Sequence, residues 1–96
     1  MTQLVWSPES IDDLLELRAY ISLDDPAAAR RLALHIIEAV ETTLPVHPGT
    51  GRPGRVPGTR ELVIARTPFV VPYRLAGDVI HILRVFHGAR RWPDRL

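Results

Sequence analysis

The sequence predicts a single α+β domain in which two antiparallel helices pack on a small antiparallel sheet, in the order β-α-α-β-β-β. Three observations lead to this prediction. The chain has 96 residues, the length of one domain, so residues 1–96 are expected to fold as one unit. Two capped helical patterns fill the first half. Three segments rich in β-branched and aromatic residues follow in the second half, after a loop of proline and glycine.

The first strand and both helices are marked by local signals. Residues 3–6 form a short apolar segment that predicts a strand, and Ser7 followed by Pro8 predicts an N-cap and a first helical residue. Asp24-Asp25-Pro26 repeats this signal for the second helix, and Pro45 and Pro48 end it. The residues at helical spacing in the first helix are Ile11, Leu14, Leu15, Arg18 and Ile21. Those in the second are Ala29, Leu32, Ala33, Ile36, Ile37, Val40 and Leu44.

The remaining strands are predicted at residues 61–65, 69–75 and 79–86, after a proline-rich loop at residues 48–58. Gly77-Asp78 predicts a tight hairpin turn between the last two strands. Pro72 has no N–H to donate to a neighbouring strand, so we expect an edge or a bulge at that residue.

Composition excludes several classes of protein. With 46% apolar and 24% charged residues, the chain has the profile of a globular protein. No apolar run approaches the ~20 residues of a membrane-spanning helix, and the N-terminus carries no visible secretory signal. Cysteine is absent, which excludes disulfides, thiol catalysis and Cys-ligated zinc. These features permit a cytoplasmic setting.

Charge is divided unequally along the chain. Residues 1–48 contain three arginines and eight acids, whereas residues 49–96 contain nine arginines and three acids. This asymmetry predicts that the second half presents a basic surface to an anionic partner. Every basic residue is Arg, which fits the recognition of phosphate or carboxylate, but codon usage in a GC-rich genome is the explanation that we favour for the absence of Lys.

Candidate catalytic chemistry is sparse, and no cofactor or metal is predicted. The glycines of the proline-rich loop lack the spacing of a phosphate-binding loop, and no Ser-His-Asp arrangement is present. His35 is expected on a helix surface or partly buried, and His47 in solvent. His81 and His87 would share one face of a straight strand, but two imidazoles alone make a poor metal site.

Acidic residues on the first helix allow two interpretations. Asp12, Asp13 and Glu16 could serve as general bases, but a solvated helix face is the commoner explanation and is the one we favour.

Cationic and aromatic side chains form the most informative set. The residues expected to bind a target are Arg74, Arg84, His87, Arg90, Arg91 and Trp92. Such a set could grip a phosphate backbone and stack on a base, or could receive an acidic segment of a protein. Trp92, in the basic tail formed by residues 87–96, could also simply fold back over the sheet.

Four segments resemble RelE/ParE-type toxins of bacterial type II toxin–antitoxin modules, and the resemblance covers nearly the whole chain. These segments are residues 5–14 (VWSPESIDDL), 51–63 (GRPGRVPGTRELV), 71–74 (VPYR) and 82–93 (ILRVFHGARRWP). The resemblance implies the β-α-α-β-β-β fold of that family. It also implies a toxin kept silent by a cognate antitoxin, in a hetero-oligomer such as a heterotetramer.

The family contains two mechanisms, and the resemblance favours the ParE type. ParE-like members inhibit DNA gyrase by binding, which requires no acid–base pair. RelE-like members are ribosome-dependent endoribonucleases that cleave mRNA, and here Arg84, His87 and Arg66 would be their catalytic residues. Those enzymes typically carry an Arg three residues before the Tyr of the middle strand, but this chain has Val70 before Tyr73. The long proline-rich loop and the Arg84–Trp92 segment also look more ParE-like.

Overall fold

The structure, a computed structural model, describes residues 2–96, so Met1 of the predicted 1–96 domain lies outside the described residues. Two helices and six strands follow one another along the chain. They are β1 Gln3–Trp6, α1 Pro8–Ser22, α2 Pro26–Thr43, β2 Arg52–Pro53, β3 Arg60–Val63, β4 Phe69–Ala76, β5 Val79–Ile82 and β6 Phe86–His87. The predicted α+β class, with a helix pair followed by a sheet, is confirmed.

Both helices begin where their caps predict. The Ser7 hydroxyl accepts a hydrogen bond from Ser10 N at 3.0 Å, and Asp25 Oδ1 accepts one from Ala28 N at 3.0 Å. Each cap satisfies one of the N–H groups that the first turn of a helix leaves without an intrahelical partner. A proline follows each cap as the first helical residue.

The buried face of α1 differs from the predicted one. Ile11, Leu15 and Arg18 are exposed, whereas Ser10 and Leu14 are buried. Ser10 tolerates burial because its hydroxyl donates to Ser7 O at 2.7 Å. The face of α1 that packs against the rest of the protein is therefore partly polar, which apolar spacing alone does not predict. The predicted face of α2 is confirmed, since its members are buried or half-buried.

The sheet is mixed rather than antiparallel. Its strand order is β1-β5-β4-β3-β2, with β6 paired to the start of β4. β1 runs parallel to β5, and the other pairs are antiparallel. The prediction of an antiparallel sheet was wrong for β1 because two helices follow this strand. No tight turn fixes its direction relative to a neighbour.

The predicted strand at residues 79–86 is interrupted. β5 ends at Ile82, and the chain resumes pairing at Phe86 as β6. Pro72 explains the break, because its carbonyl accepts from Leu83 N at 3.0 Å, so its missing donor also faces β5. Leu83 O accepts instead from the Ser7 hydroxyl at 2.8 Å. The expectation of an edge or a bulge at Pro72 is confirmed as a bulge, because the three residues between β5 and β6 lie opposite only two residues of β4, Val71 and Pro72.

The core lies between the helices and the sheet, and its largest fully buried side chain is Tyr73. The Tyr73 hydroxyl donates to Pro48 O at 2.7 Å and accepts from Gly51 N at 2.9 Å. A Cβ on Gly51 would lie 2.6 Å from that hydroxyl, so only glycine fits. Tyr73 therefore fastens the start of the proline-rich loop to the core.

A two-residue hairpin joins β4 to β5, as predicted. Ala76 pairs with Val79, and Gly77 has a φ of +58°. A positive φ at the first central position is typical of a type II′ turn. Within residues 2–96, no helix is long and apolar enough to cross a bilayer.

Candidate functional site

An open groove of about 810 Å³ runs between α1 and the end of the sheet where β6 pairs with β4. Its apolar lining includes Leu17, Tyr20, Ile21, Leu32, Phe69 and Phe86. Glu16, Arg84, His87 and Arg90 add charged or polar groups. Tyr20 leaves 76% of its surface exposed. The groove therefore presents apolar surface that a partner could cover.

Arg84 lies in this groove but is not a free cation. Its Nε and Nη2 donate to the two carboxylate oxygens of Asp13 at 2.8 and 2.9 Å. Val85 N donates to the same carboxylate at 2.9 Å. These hydrogen bonds raise the pKa of Arg84 above its ordinary value, an effect that burial opposes. Asp13 thus neutralises Arg84 and fastens the break after β5 to α1.

The interpretation of Asp13 as part of a solvated helix face was wrong. Its side chain is only 11% exposed. The sequence did contain one signal, because Asp13 lies three residues after Ser10 and four before Leu17, on the face that α1 turns inward. Its partner is 71 residues away, so the pairing itself is not visible in the sequence.

His87 joins Arg84 in the groove because the strand is broken. On a continuous strand the two residues would point to opposite faces, but β5 ends between His81 and Arg84. His87 packs edge-on to Phe69 with ring centroids 5.7 Å apart. Its Nδ1 accepts from Ala89 N at 3.2 Å, which leaves Nε2 to carry the proton of the neutral ring. His81 does not lie on the same face as His87, since His81 lines a different pocket.

Arg74 and Arg66 lie apart from the groove. Arg74 pairs across the sheet with His81, and both line a pocket of about 310 Å³ beside Val5. Arg66 is exposed in the turn after β3, with a φ of +64°. The structure therefore brings Arg84, His87 and Arg90 together and separates Arg66 and Arg74 from them.

Trp92 folds back on the sheet, which was one of the two outcomes that the sequence left open. Its ring centroid lies 4.9 Å from that of Phe86, and its Nε1 donates to His87 O at 3.2 Å. The Arg55 guanidinium lies 3.8 Å from the centroid of a Trp92 ring. Arg90 and Arg91 are exposed, and their side chains form no hydrogen bond or ion pair with other residues of the described chain.

Glu61, an acid of β3, is a further residue whose role the sequence patterns did not predict. Its side chain is 1% exposed and binds the side chain of Arg52 and the backbone of Arg55. One signal was present, since Glu61 is the sole acid between Glu41 and Asp78 in a strongly basic stretch.

The two remaining histidines match their predictions. His35 is half-buried on α2 and its Nε2 lies 3.0 Å from Ala65 O, whereas His47 is exposed. Among residues 2–96, no three His, Asp or Glu side chains gather closely enough to hold a metal ion.

Comparisons with known proteins agree with this architecture. A sequence profile described as "ParE toxin of type II toxin-antitoxin system, parDE" matches residues 4–92. The Sinorhizobium fredii protein Y4kP is 45% identical over 95% of this chain and 93% of its own. The Caulobacter vibrioides protein named Toxin RelE2 is 38% identical over 94% of this chain and 99% of its own.

A solved structure gives the same result. A chain of the "Chromosomal ParDE TA system from P. aeruginosa" superposes with a TM-score of 0.81 and is 36% identical, over 91% of this chain and 96% of that one. The profile match spans almost all of the residues on which the sequence resemblance rests, so that resemblance is confirmed.

Proposed function

The chain belongs to the ParE family of type II toxin–antitoxin toxins, and on this premise we propose that it inhibits DNA gyrase by binding. A cognate antitoxin neutralises it, and the encounter with gyrase takes place in the cytoplasm. The basic tail at residues 87–96 provides the main target-binding surface. Arg90 and Arg91 in this tail are exposed cations without a partner in the described chain.

The observation that carries this proposal is that the cations a ribonuclease would need are either paired with an acid or outside the groove. Arg84 is bound by Asp13, and Arg66 lies outside the groove. Val70, where RelE-like enzymes have Arg, is 5% exposed and pairs with Phe86. An arrangement of this kind favours binding over acid–base catalysis, because catalysis needs cations aimed at the scissile phosphate.

Ribosome-dependent cleavage of mRNA is the second candidate function, and one observation favours it. Arg84 and His87 line the same groove, with His87 Nε2 left available by the hydrogen bond at Nδ1. A relative that is 38% identical is also named Toxin RelE2. For this function Arg84 and His87 would act together on RNA, whereas Arg66, the third residue that the resemblance implies, lies outside their groove.

The two functions are separated by one purified sample, freed of its antitoxin, in two parallel assays. We expect loss of gyrase supercoiling activity while mRNA on translating ribosomes stays intact. Cleaved mRNA with normal supercoiling would contradict the proposal and establish the alternative. In that event His87→Ala should abolish cleavage, whereas His47→Ala, a change in an exposed loop residue, should leave it unchanged.

The groove supports the antitoxin as a partner. Its apolar lining fits the apolar face of an amphipathic segment, which should be acidic where it passes Arg90. The proposed complex is a hetero-oligomer, such as a heterotetramer of two toxins and two antitoxins, whose mass in solution would test the stoichiometry.

A charge placed in the groove tests this docking site. Tyr20→Glu should weaken antitoxin binding at least about tenfold, because a carboxylate would be buried against apolar surface. Leu34→Glu is the matched control, since Leu34 is also an exposed apolar residue of the helix pair, at 53% exposure, but does not line the groove. Titration calorimetry of both variants measures the effect, and equal affinities would place the antitoxin elsewhere.

A further inference from the structure

Glu61 fixes the proline-rich loop to the sheet. This residue belongs to β3 and its carboxylate is almost completely buried. Oε1 accepts from Arg52 Nε at 3.1 Å and Arg52 Nη2 at 2.9 Å, while Oε2 accepts from Arg55 N at 2.8 Å. The backbone of the loop at Arg55 is therefore held in place from inside the protein.

Arg55 then extends from the loop to the basic tail. Its guanidinium stacks over Trp92 at 3.8 Å, and its Nη2 donates to Gly88 O at 3.2 Å. A planar guanidinium suits both contacts at once, because it can stack through its face and donate from its edge. Glu61, Arg55 and Trp92 thus form a continuous connection from the sheet to the tail.

The tail has few other attachments within the described chain. Its start is held by β6, by Gly88 N donating to Pro68 O at 2.7 Å, and by Arg90 N donating to His87 O. Beyond Arg90, the side-chain hydrogen bonds and ring contacts of the described tail are those of Trp92 with Phe86, with His87 O and with Arg55. In the sequence, Arg90 and Arg91 lie between Gly88 and Trp92, the two tail residues that Arg55 contacts.

We propose that Arg55 is a positioning residue for the basic tail: it fixes Trp92 and Gly88, and thereby places Arg90 and Arg91 for contact with the target. This inference rests on the proposed function for what the tail contacts. The placement of the tail itself does not depend on the identity of the target.

Arg52 offers a matched control for this inference. Arg52 and Arg55 both bind Glu61 and are both about half exposed, with side-chain exposures of 51% and 42%. Only Arg55 also contacts the tail. Arg55→Ala and Arg52→Ala therefore remove the same charge from the same cluster, and they differ in their effect on Trp92 and Gly88.

Limited trypsin digestion of the full chain reads the tail directly, because trypsin cleaves after arginine. We expect cleavage after Arg90 and Arg91, identified by mass, to be about fivefold faster in Arg55→Ala than in the parent, since cleavage follows the population of the released tail. Arg52→Ala should be cleaved at the parent rate. Arg55→Lys keeps the charge but not the planar group, so it should be intermediate. Equal tail cleavage in Arg55→Ala and Arg52→Ala would overturn the inference.

Growth arrest on induction in bacteria and the urea midpoint of unfolding complete the test. Arg55→Ala should need severalfold more protein than Arg52→Ala to arrest growth, without a lower unfolding midpoint than Arg52→Ala. A merely structural role of Arg55 would lower the unfolding midpoint together with the growth arrest, and unchanged arrest would overturn the positioning role. If the parent fails to inhibit gyrase, the proposed function fails, but tail cleavage and growth arrest still decide the inference by themselves.

Discussion

Two carboxylates of this toxin form nearly the same set of hydrogen bonds at different places. Asp13 and Glu61 are each largely buried, and each accepts two hydrogen bonds from one arginine side chain and one from a backbone N–H. At Asp13 the arginine is Arg84, with 29% of its side chain exposed. At Glu61 it is Arg52, with 51% exposed. The first cluster thus neutralises a cation inside the groove, whereas the second leaves Arg55 to contact the tail.

This difference shows that a basic sequence is not the same as a basic surface. Of the nine arginines in the second half of the chain, four donate from their side chains to other groups of the protein: Arg52, Arg55, Arg60 and Arg84. Those without such a bond among residues 2–96 are Arg66, Arg74, Arg90, Arg91 and Arg95. Recognition of an anionic partner is therefore best sought among the second group.

The largest expected effect comes from removing the two carboxylate charges without changing the shape of the side chains. Asp13→Asn should lower the free energy of unfolding by about 3 kcal/mol, because Arg84 remains partly buried without a counter-ion. Glu61→Gln should lower it by only about 1 kcal/mol, because water can solvate the exposed Arg52. Urea unfolding followed by circular dichroism measures both values.

Asp12→Asn is the control for this pair, since Asp12 is an exposed acid on the same helix and should change stability by less than about 0.5 kcal/mol. The raised pKa of Arg84 means that its share of the stabilisation is complete below the unfolded-state pKa and is lost only as pH rises through the folded one. The Asp13→Asn loss should therefore be unchanged between pH 7 and 9. If Asp13→Asn and Glu61→Gln lower the free energy of unfolding equally, the exposure of the paired arginine does not distinguish the two clusters.

Local signals predicted the helix starts, because capping depends on residues three apart in the chain. Ser7 and Asp25 both cap as expected. The hairpin at Gly77 was equally local. The inward face of α1 was not predictable in the same way, because Asp13 is stabilised there by Arg84, a residue that only the fold brings near.

The candidate site was only partly predictable for a related reason. Its residue types were visible in the sequence, but which of them meet depends on where β5 ends. β5 ends at Ile82 for two reasons. Pro72 has no N–H to donate across the sheet, and Val85 N donates to Asp13 on α1. Without the break, Arg84 and His87 would lie on opposite faces.

The smallest expected effect on stability belongs to the free cations of the tail. The double variant Arg90→Gln with Arg91→Gln should change the free energy of unfolding by less than about 0.5 kcal/mol, because neither side chain is paired in the described structure. The gyrase inhibition that we propose should nevertheless weaken by about three- to tenfold, since long-range attraction to an anionic partner is reduced. Supercoiling assays at increasing toxin concentration measure this loss.

Arg30→Gln with Arg31→Gln is the matched control for the tail variant. Both residues are exposed neighbours on α2, so this variant removes the same charge from the helical half of the molecule. If net charge alone drives binding, the two double variants will lose inhibition equally. The distinction between arginines that are paired within the protein and arginines that are free on its surface would then not explain binding. If the place of the charge matters, only the tail variant will lose inhibition, and raising the salt concentration will reduce the difference between them, because exposed charges are screened.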